Sequence, residues 1–376
     1  MDADLIADQV RLCAACPKMC RHICPTFFAW RTDSPTPHGR ALLIHQDSQG
    51  VRPLDTRAIE VLYQCLECSH CLTWCLPEVD IAEIVETVRN KIVMDNRQPA
   101  ELNALRNSIE KEHNPFEEPH EHRLQWRNDS SNNGKRILYF VGCTAAYREP
   151  SIGISAVEVM SDLLGYDVIT SDEEWCCGSP LFRTGFQDEA LKQAEHNVEF
   201  LNQLDVEMIV VTCPGCYRAL TTDYSKHGLE LTKPVVHISS FLNEHLDKIP
   251  VCAFDESISY HDPCHLGRHS GIYDEPRNVI NKVSKNQLVE MERNREDAMC
   301  CGNGAGLRIL FKDASKKIAR ERLVQAQRTG ADYLVTACPF CKNLLAGESG
   351  DDIQVVDLPE LISLAMKLAK RPIGEE

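Results

Sequence analysis

Two stretches decide the fold: Met208-Ile-Val-Val-Thr-Cys-Pro-Gly-Cys216 and Tyr333-Leu-Val-Thr-Ala-Cys-Pro-Phe-Cys341. In each, a short run of apolar and β-branched residues ends on Cys-Pro-x-Cys. The run reads as a buried strand, and the proline suits the first position of a helix. A cysteine at such a strand-to-helix junction meets the positive end of a helix dipole, which favours thiolate.

Working outward from each stretch, the same order of elements appears twice. Upstream of the first, Ile137–Val141 is a strand leading into Gly142-Cys143, and a helix spans Ser151–Leu164. Tyr166–Thr170 is a strand ending before Cys176-Cys177-Gly178, and Phe186–Leu204 is a long amphipathic helix. Upstream of the second, Ser257–Tyr260 runs into Asp262-Pro263-Cys264, followed by a helix at Pro276–Val283 and a strand at Gln287–Met291. Cys300-Cys301-Gly302 and a helix at Asp313–Arg328 complete the copy. Two copies of one α/β unit, each with a lone Cys, a Cys-Cys-Gly and a Cys-Pro-x-Cys, are expected to pack with pseudo-two-fold symmetry. Gly178 and Gly302 relieve crowding at the Cys-Cys turns.

The N-terminal part carries two tighter blocks: Cys13, Cys16, Cys20, Cys24-Pro25, and Cys65, Cys68, Cys71, Cys75. Helical periodicity appears at Asp55–Gln64 and Ile81–Met94, with no convincing strand. The expected organisation is a multidomain α+β and α/β chain. Residues 1–95 form a helical, ferredoxin-like domain with two [4Fe–4S] clusters, and 96–134 a polar linker with one helix near Ala100–Lys111. Residues 135–250 and 251–376 form two pseudo-symmetric Cys-Cys-Gly (CCG) lobes.

Eighteen of the nineteen cysteines fall in these four blocks, leaving Cys252 as an ordinary thiol. In ferredoxin-type blocks three close cysteines hold one corner of a cubane cluster and the last ligates the other cluster. Cys13, Cys16, Cys20 and Cys75 would then hold one, and Cys65, Cys68, Cys71 and Cys24 the other. The first block is one residue longer than usual between its second and third Cys, and Pro77 falls one position late. Paired structural zinc sites are the competing reading. His22 and His70 sit inside these blocks, either as ligands or as hydrogen-bond donors to sulfur. Five thiolates in each later block exceed what one cubane or one zinc uses.

The 376 residues carry a formal charge of −16, with 43% hydrophobic and 26% charged residues. That describes a globular protein, and the charge argues against nucleic acid as a partner. No apolar run reaches the roughly 18 residues needed to span a bilayer. The acidic start, Met1-Asp2-Ala3-Asp4, is not a secretory signal. Thiols in this number without export indicate metal or redox chemistry, so the expected location is cytoplasmic, with docking on the inner face of a membrane as a variant.

Phe140-Val-Gly-Cys-Thr144, Glu174-Trp-Cys-Cys-Gly-Ser179, Cys213-Pro-Gly-Cys-Tyr-Arg218 and Tyr260-His-Asp-Pro-Cys-His-Leu-Gly-Arg268 resemble the cysteine-rich repeats of heterodisulfide reductases. Having repeats and N-terminal blocks on one chain is the arrangement of the D-subunit family of these enzymes, and the resemblance spans nearly the whole sequence. It implies two noncubane [4Fe–4S] clusters: one on Cys143, Cys176, Cys177, Cys213 and Cys216, the other on Cys264, Cys300, Cys301, Cys338 and Cys341. It also implies reduction of a disulfide, such as the coenzyme M–coenzyme B heterodisulfide of methanogenesis, to two thiols. Two facing clusters would each take one sulfur and give it one electron, fed by the ferredoxin-type clusters. The anionic substrate calls for cations, and Arg148, Arg183, Arg268 and Arg308 lie near ligands or Gly-rich turns. His261 and His265 flank Cys264 as proton donors or as hydrogen-bond partners of sulfur. Asp262 before Pro263 reads as a turn residue, and Gly302–Gly306 lacks the Lys-Ser/Thr ending of a phosphate loop.

Iron–sulfur subunits of glycolate, lactate and glycerol-3-phosphate dehydrogenases share the layout but often lack some of these cysteines. A non-catalytic electron-transfer subunit of such a flavin enzyme, or of a quinone-linked complex, is therefore the alternative. A thioredoxin-like or zinc-bound dithiol protein leaves the Cys-Cys-Gly pairs unexplained. With no flavin or nicotinamide fingerprint, electrons must come from a partner: a membrane cytochrome b, a flavin subunit or an electron-transfer flavoprotein.

Overall fold

The computed structural model describes residues 3–127, 133–251 and 254–369. Cys252 lies outside them. Up to Met94 the described chain is helical. Thr56–Tyr63 begins on Asp55, whose carboxylate accepts the Ala58 N–H at 2.8 Å. Ile81–Met94 begins on Asp80, which accepts from Ala82 and Glu83. Both are N-caps that satisfy otherwise orphaned donors.

The first repeat is a parallel sheet of β1 (Arg136–Phe140), β2 (Asp167–Ile169), β3 (Ile209–Val211) and β4 (Val235–His237), ordered β2-β1-β3-β4. Leu138 pairs with both Ile169 and Ile209, which fixes the register. Side chains alternate along β1: Leu138 and Phe140 pack toward the N-terminal helices, Ile137 and Tyr139 toward the second repeat. With both faces covered, the central strands are apolar apart from Arg136 at the exposed start of β1, as parallel strands usually are.

The second repeat has β5 (Ile258–His261), β6 (Tyr333–Thr336) and β7 (Gln354–Asp357), parallel and in that order. They correspond to β1, β3 and β4. The strand expected at Gln287–Met291 is extended chain beside β5, where Val289 N–H donates to Ile258 O at 2.8 Å without a ladder.

The segment after Met94 contributes to the core. Helix Leu102–Glu112 buries Leu102, Leu105 and Ile109 against the first repeat, and Arg123 is fully buried.

Arg89, on the buried face of Ile81–Met94, stands where helices and repeats meet. Its guanidinium donates to Leu62 O, Cys65 O and Glu67 Oε1, to Arg183 O in the first repeat, and to Ala305 O in the second.

Candidate metal centres

Each repeat presents its thiols in one sequence of contacts. In the first, the thiols neighbour one another as Cys143 to Cys176, Cys176 to Cys177, Cys177 to Cys216 and Cys216 to Cys213. In the second the order is Cys264 to Cys300 (3.9 Å), then Cys301, Cys341 and Cys338. Cys213 and Cys338 leave the ends of β3 and β6, and Pro214 and Pro339 open the helices behind them. Two glycines make room. Gly142 has φ +73° and a Cβ there would lie 3.1 Å from Cys216 Sγ; Gly302 has φ +96° and its Cβ would meet Ser315 O at 2.7 Å.

The N-terminal thiols gather in two sets that cross between the blocks. Burial, then Cys20, Cys16 and Cys75, pushes the Cys13 thiol up to about 12. Cys24, Cys65, Cys68 and Cys71 line one cavity, together with Ser69 and His70. Ser69 Oγ and His70 Nδ1 are buried there without partners.

The four sets form a line. Cys20 neighbours Cys24 and Cys71, joining the two N-terminal sets. Cys68 neighbours Cys300, and Cys338 neighbours Cys213. In order of thiol contacts, the second repeat's set therefore lies between the N-terminal sets and that of the first repeat.

Residues 137–221 and 258–346 each match the cysteine-rich domain family CCG. The D subunit of dihydromethanophenazine:CoB--CoM heterodisulfide reductase from Methanosarcina barkeri is 35% identical over 82% of this chain and 78% of its own length. The chain belongs to the D-subunit family of heterodisulfide reductases. The B subunit of fumarate reductase (CoM/CoB) from Methanothermobacter marburgensis is 30% identical over 81% of this chain and 62% of that one. EtfAB:quinone oxidoreductase of Syntrophomonas wolfei is 28% identical over 83% and 48%. A hypothetical protein from Helicobacter pylori shares the fold, with TM-score 0.51 over 89% of this chain and 68% of its own, at 11% identity. Membership makes this chain an iron–sulfur protein of oxidoreductase type. Among the described residues no helix is long and apolar enough to cross a membrane.

The residues fit iron–sulfur centres of the family. Thiols packed this closely could not all ionise in a buried place without a cationic inorganic core to neutralise them, and four of them already surround a cavity.

Around the first block, a buried ion pair that leaves no motif in the sequence holds the Cys143 loop. Glu174 accepts the N–H groups of Val141 (2.7 Å) and Gly142 (2.9 Å), and Arg123 Nη1 at 2.6 Å. Arg123 also donates to His113 O and to Cys143 Sγ at 3.7 Å. Burial pushes the Glu174 carboxyl up, with Arg123 and the two N–H groups pulling it back. Trp175 is sandwiched between His113 and His196, both with ring centroids 3.6 Å away.

The four expected arginines fall in two places. Arg183 is buried on Asp223 (2.7 Å), with Glu86 and Glu67 close by. Arg268 donates to Cys68 O (2.6 Å), Ala298 O and Glu296 O, tying the second repeat to the Cys68 turn. Arg148 pairs with Glu118, and Arg308 bonds Asn343, which bonds Glu149 beside Arg148. These last two lie along the seam between the repeats.

His265 lies near Arg218, Arg183 and Arg268. Burial, then His269 and those arginines, holds it far below the ordinary imidazole value. His261 sits instead against Cys301 and Cys341, all three ligand atoms within 4.8 Å of one another. Its Nδ1 accepts from Arg322 Nε at 3.0 Å, so its proton is on Nε2. His70 Nε2–H donates to Asp297 Oδ1 (2.9 Å), and burial lowers the ring to about 3, whereas His22 bonds Met19 O. Asp262 binds Arg277 through both oxygens. Asp357, at the end of β7, is a buried carboxyl whose value burial raises well above the ordinary one.

Proposed function

We propose that this chain is the disulfide-reducing iron–sulfur subunit of a redox complex, turning R–S–S–R′, two electrons and two protons into two thiols. The observation that carries this reading is the Cys213–Cys338 contact, which sets two complete five-thiol blocks against each other. Cys13, Cys16, Cys20 and Cys75, and Cys24, Cys65, Cys68 and Cys71, would hold two cubane [4Fe–4S] clusters. The other ten cysteines would hold two noncubane [4Fe–4S] clusters. When bound, these groups supply electrons singly, two for each disulfide.

The protein's own residues shape the place where this happens. Arg148 and Arg308 put cationic groups on the seam, suited to an anionic disulfide such as that of coenzymes M and B. Arg183 and Arg268 act by positioning: Arg183 Nη2 is held by Asp223, and Arg268 holds Cys68 O, Ala298 O and Glu296 O. His265, neutral, offers a ring N–H beside Cys264 rather than a titrating acid. The partner is a membrane cytochrome b, a flavin subunit or an electron-transfer flavoprotein, and the complex works in the cytoplasm or at the inner face of the membrane.

The likeness to EtfAB:quinone oxidoreductase favours a second reading, an electron-relay subunit whose substrate is oxidised elsewhere. Turnover of a disulfide with reduced viologen, by this chain alone, supports the first reading. Full reduction of the iron–sulfur centres with no thiol released supports the second.

A further inference from the structure

Large apolar side chains exposed to water cluster around one thiol set. Leu12 (46% exposed) precedes Cys13, Met19 (64%) precedes Cys20, and Trp74 (47%) and Leu76 (97%) flank Cys75. They surround one place on the surface, because Cys13, Cys20 and Cys75 are neighbours. The His22 ring also packs edge-on against Trp74 at 4.7 Å while bonding Met19 O at 2.9 Å. Apolar surface gathered in this way marks an interaction site.

The thiols beneath are the most accessible of the four sets. Cys16, Cys20 and Cys75 are partly exposed, whereas each other set has one such member: Cys71, Cys213 or Cys264. This set also stands at the free end of the line of thiol contacts. The Cys13–Cys20 side of the patch is rich in cations, and Asp297 accepts from Trp74 Nε1 on the Cys75 side. From Arg11 to Thr32 there are four cations (Arg11, Lys18, Arg21, Arg31) and no carboxylate, in a protein of net charge −16.

We infer that this patch is the docking face for a one-electron donor protein with an apolar centre and an acidic rim. The donor is oxidised by one electron and the group held by Cys13, Cys16, Cys20 and Cys75 is reduced by one; no proton or covalent bond is transferred. Electron-transfer contacts are small, commonly below about 1,200 Å², so four apolar side chains suffice as a centre. A protein suits the face better than an anionic bilayer. Arg11 is paired with Asp8 at 3.5 Å, and Lys18 and Arg21 share Asp33, so carboxylates stand among the cations.

The inference rests on the iron–sulfur reading above, but its test involves no disulfide. An acidic [2Fe–2S] ferredoxin serves as the probe, with reduced methyl viologen as the small donor. Leu76→Asp and Met19→Asp should each weaken ferredoxin binding to the oxidised protein, measured by biolayer interferometry, by about tenfold. Both should slow bleaching by reduced ferredoxin in stopped flow to a similar extent while leaving the viologen rate unchanged. Raising ionic strength from about 0.05 to about 0.3 M should weaken wild-type binding as well. Wild type without ferredoxin affinity, unchanged binding in both variants, or equal slowing with both donors overturns the inference. Loss of binding to phosphatidylglycerol vesicles with ferredoxin binding intact overturns it in favour of a bilayer.

Discussion

Replacing Glu174 by Ala removes one carboxylate with three partners. Val141 N–H and Gly142 N–H lose their acceptor, and the fully buried Arg123 loses its counter-ion. Breaking a buried pair from one side costs about 3–5 kcal/mol, and each orphaned donor about 1–3 kcal/mol. These overlap, so the expected loss is about 4 kcal/mol. Glu174→Gln keeps an acceptor for one N–H and should lose about 2 kcal/mol. The cost lies in what is left behind. Because burial outweighs Arg123 in setting the carboxyl, the ionised pair is not itself a net source of stability. Arg123→Met/Glu174→Leu should therefore lie closer to wild type than either single change. A carboxyl raised by folding contributes most at low pH and loses that contribution as pH rises through the folded value. The advantage of wild type over Glu174→Gln should accordingly narrow as pH rises above the ordinary carboxylate range. Urea unfolding can be followed by tryptophan fluorescence, since Trp175 sits beside the pair in its stack with His113 and His196. Iron per chain reports the Cys143 loop directly. A Glu174→Ala protein that loses under about 1 kcal/mol and keeps its iron would refute the reasoning.

Gly185 has φ +93° and a Cβ there would lie 2.5 Å from Arg89 O, whereas Gly228 has φ +75° and open space. Gly185→Ala should cost well above about 2 kcal/mol and Gly228→Ala about 1 kcal/mol, measured by denaturant titration; equal costs would count against the close approach. Anaerobically purified protein should carry about sixteen irons with matching sulfide, and Cys68→Ser about four fewer; about eight in wild type would withdraw the two repeat centres. Arg268→Lys keeps the charge but loses the fork that reaches Cys68 O and Ala298 O. It should speed the loss of iron from the Cys68 set on exposure to air without changing the fold by circular dichroism.

Most of the fold was legible because its elements carry strong periodic signals. Ile81–Met94 and Tyr333–Thr336 form with the expected bounds, and the doubled order of elements announces the two sheets. β4 and β7 escaped notice because each offers just two consecutive valines, too short a run to separate from loop. Gln287–Met291 has the composition of a strand, but its one ladder bond falls at the sheet edge. The crossed N-terminal sets were read from the block spacing, and the two five-thiol sets from the family resemblance. Arg123 and Glu174 were not, since a buried ion pair 51 residues apart leaves no local pattern. Arg89 was hinted at by its place on the apolar face of a helix, four residues after Val85. His261 was assigned to Cys264 by adjacency, yet strand alternation turns it toward Cys301.

Arg89 also bears on how the protein folds. Its five acceptors come from three different regions of the chain, so no pair of them satisfies the guanidinium. Detaching any one region leaves this buried cation short of partners, which couples the three regions in folding. Arg89→Met should loosen that coupling, seen as a broader urea transition than that of wild type.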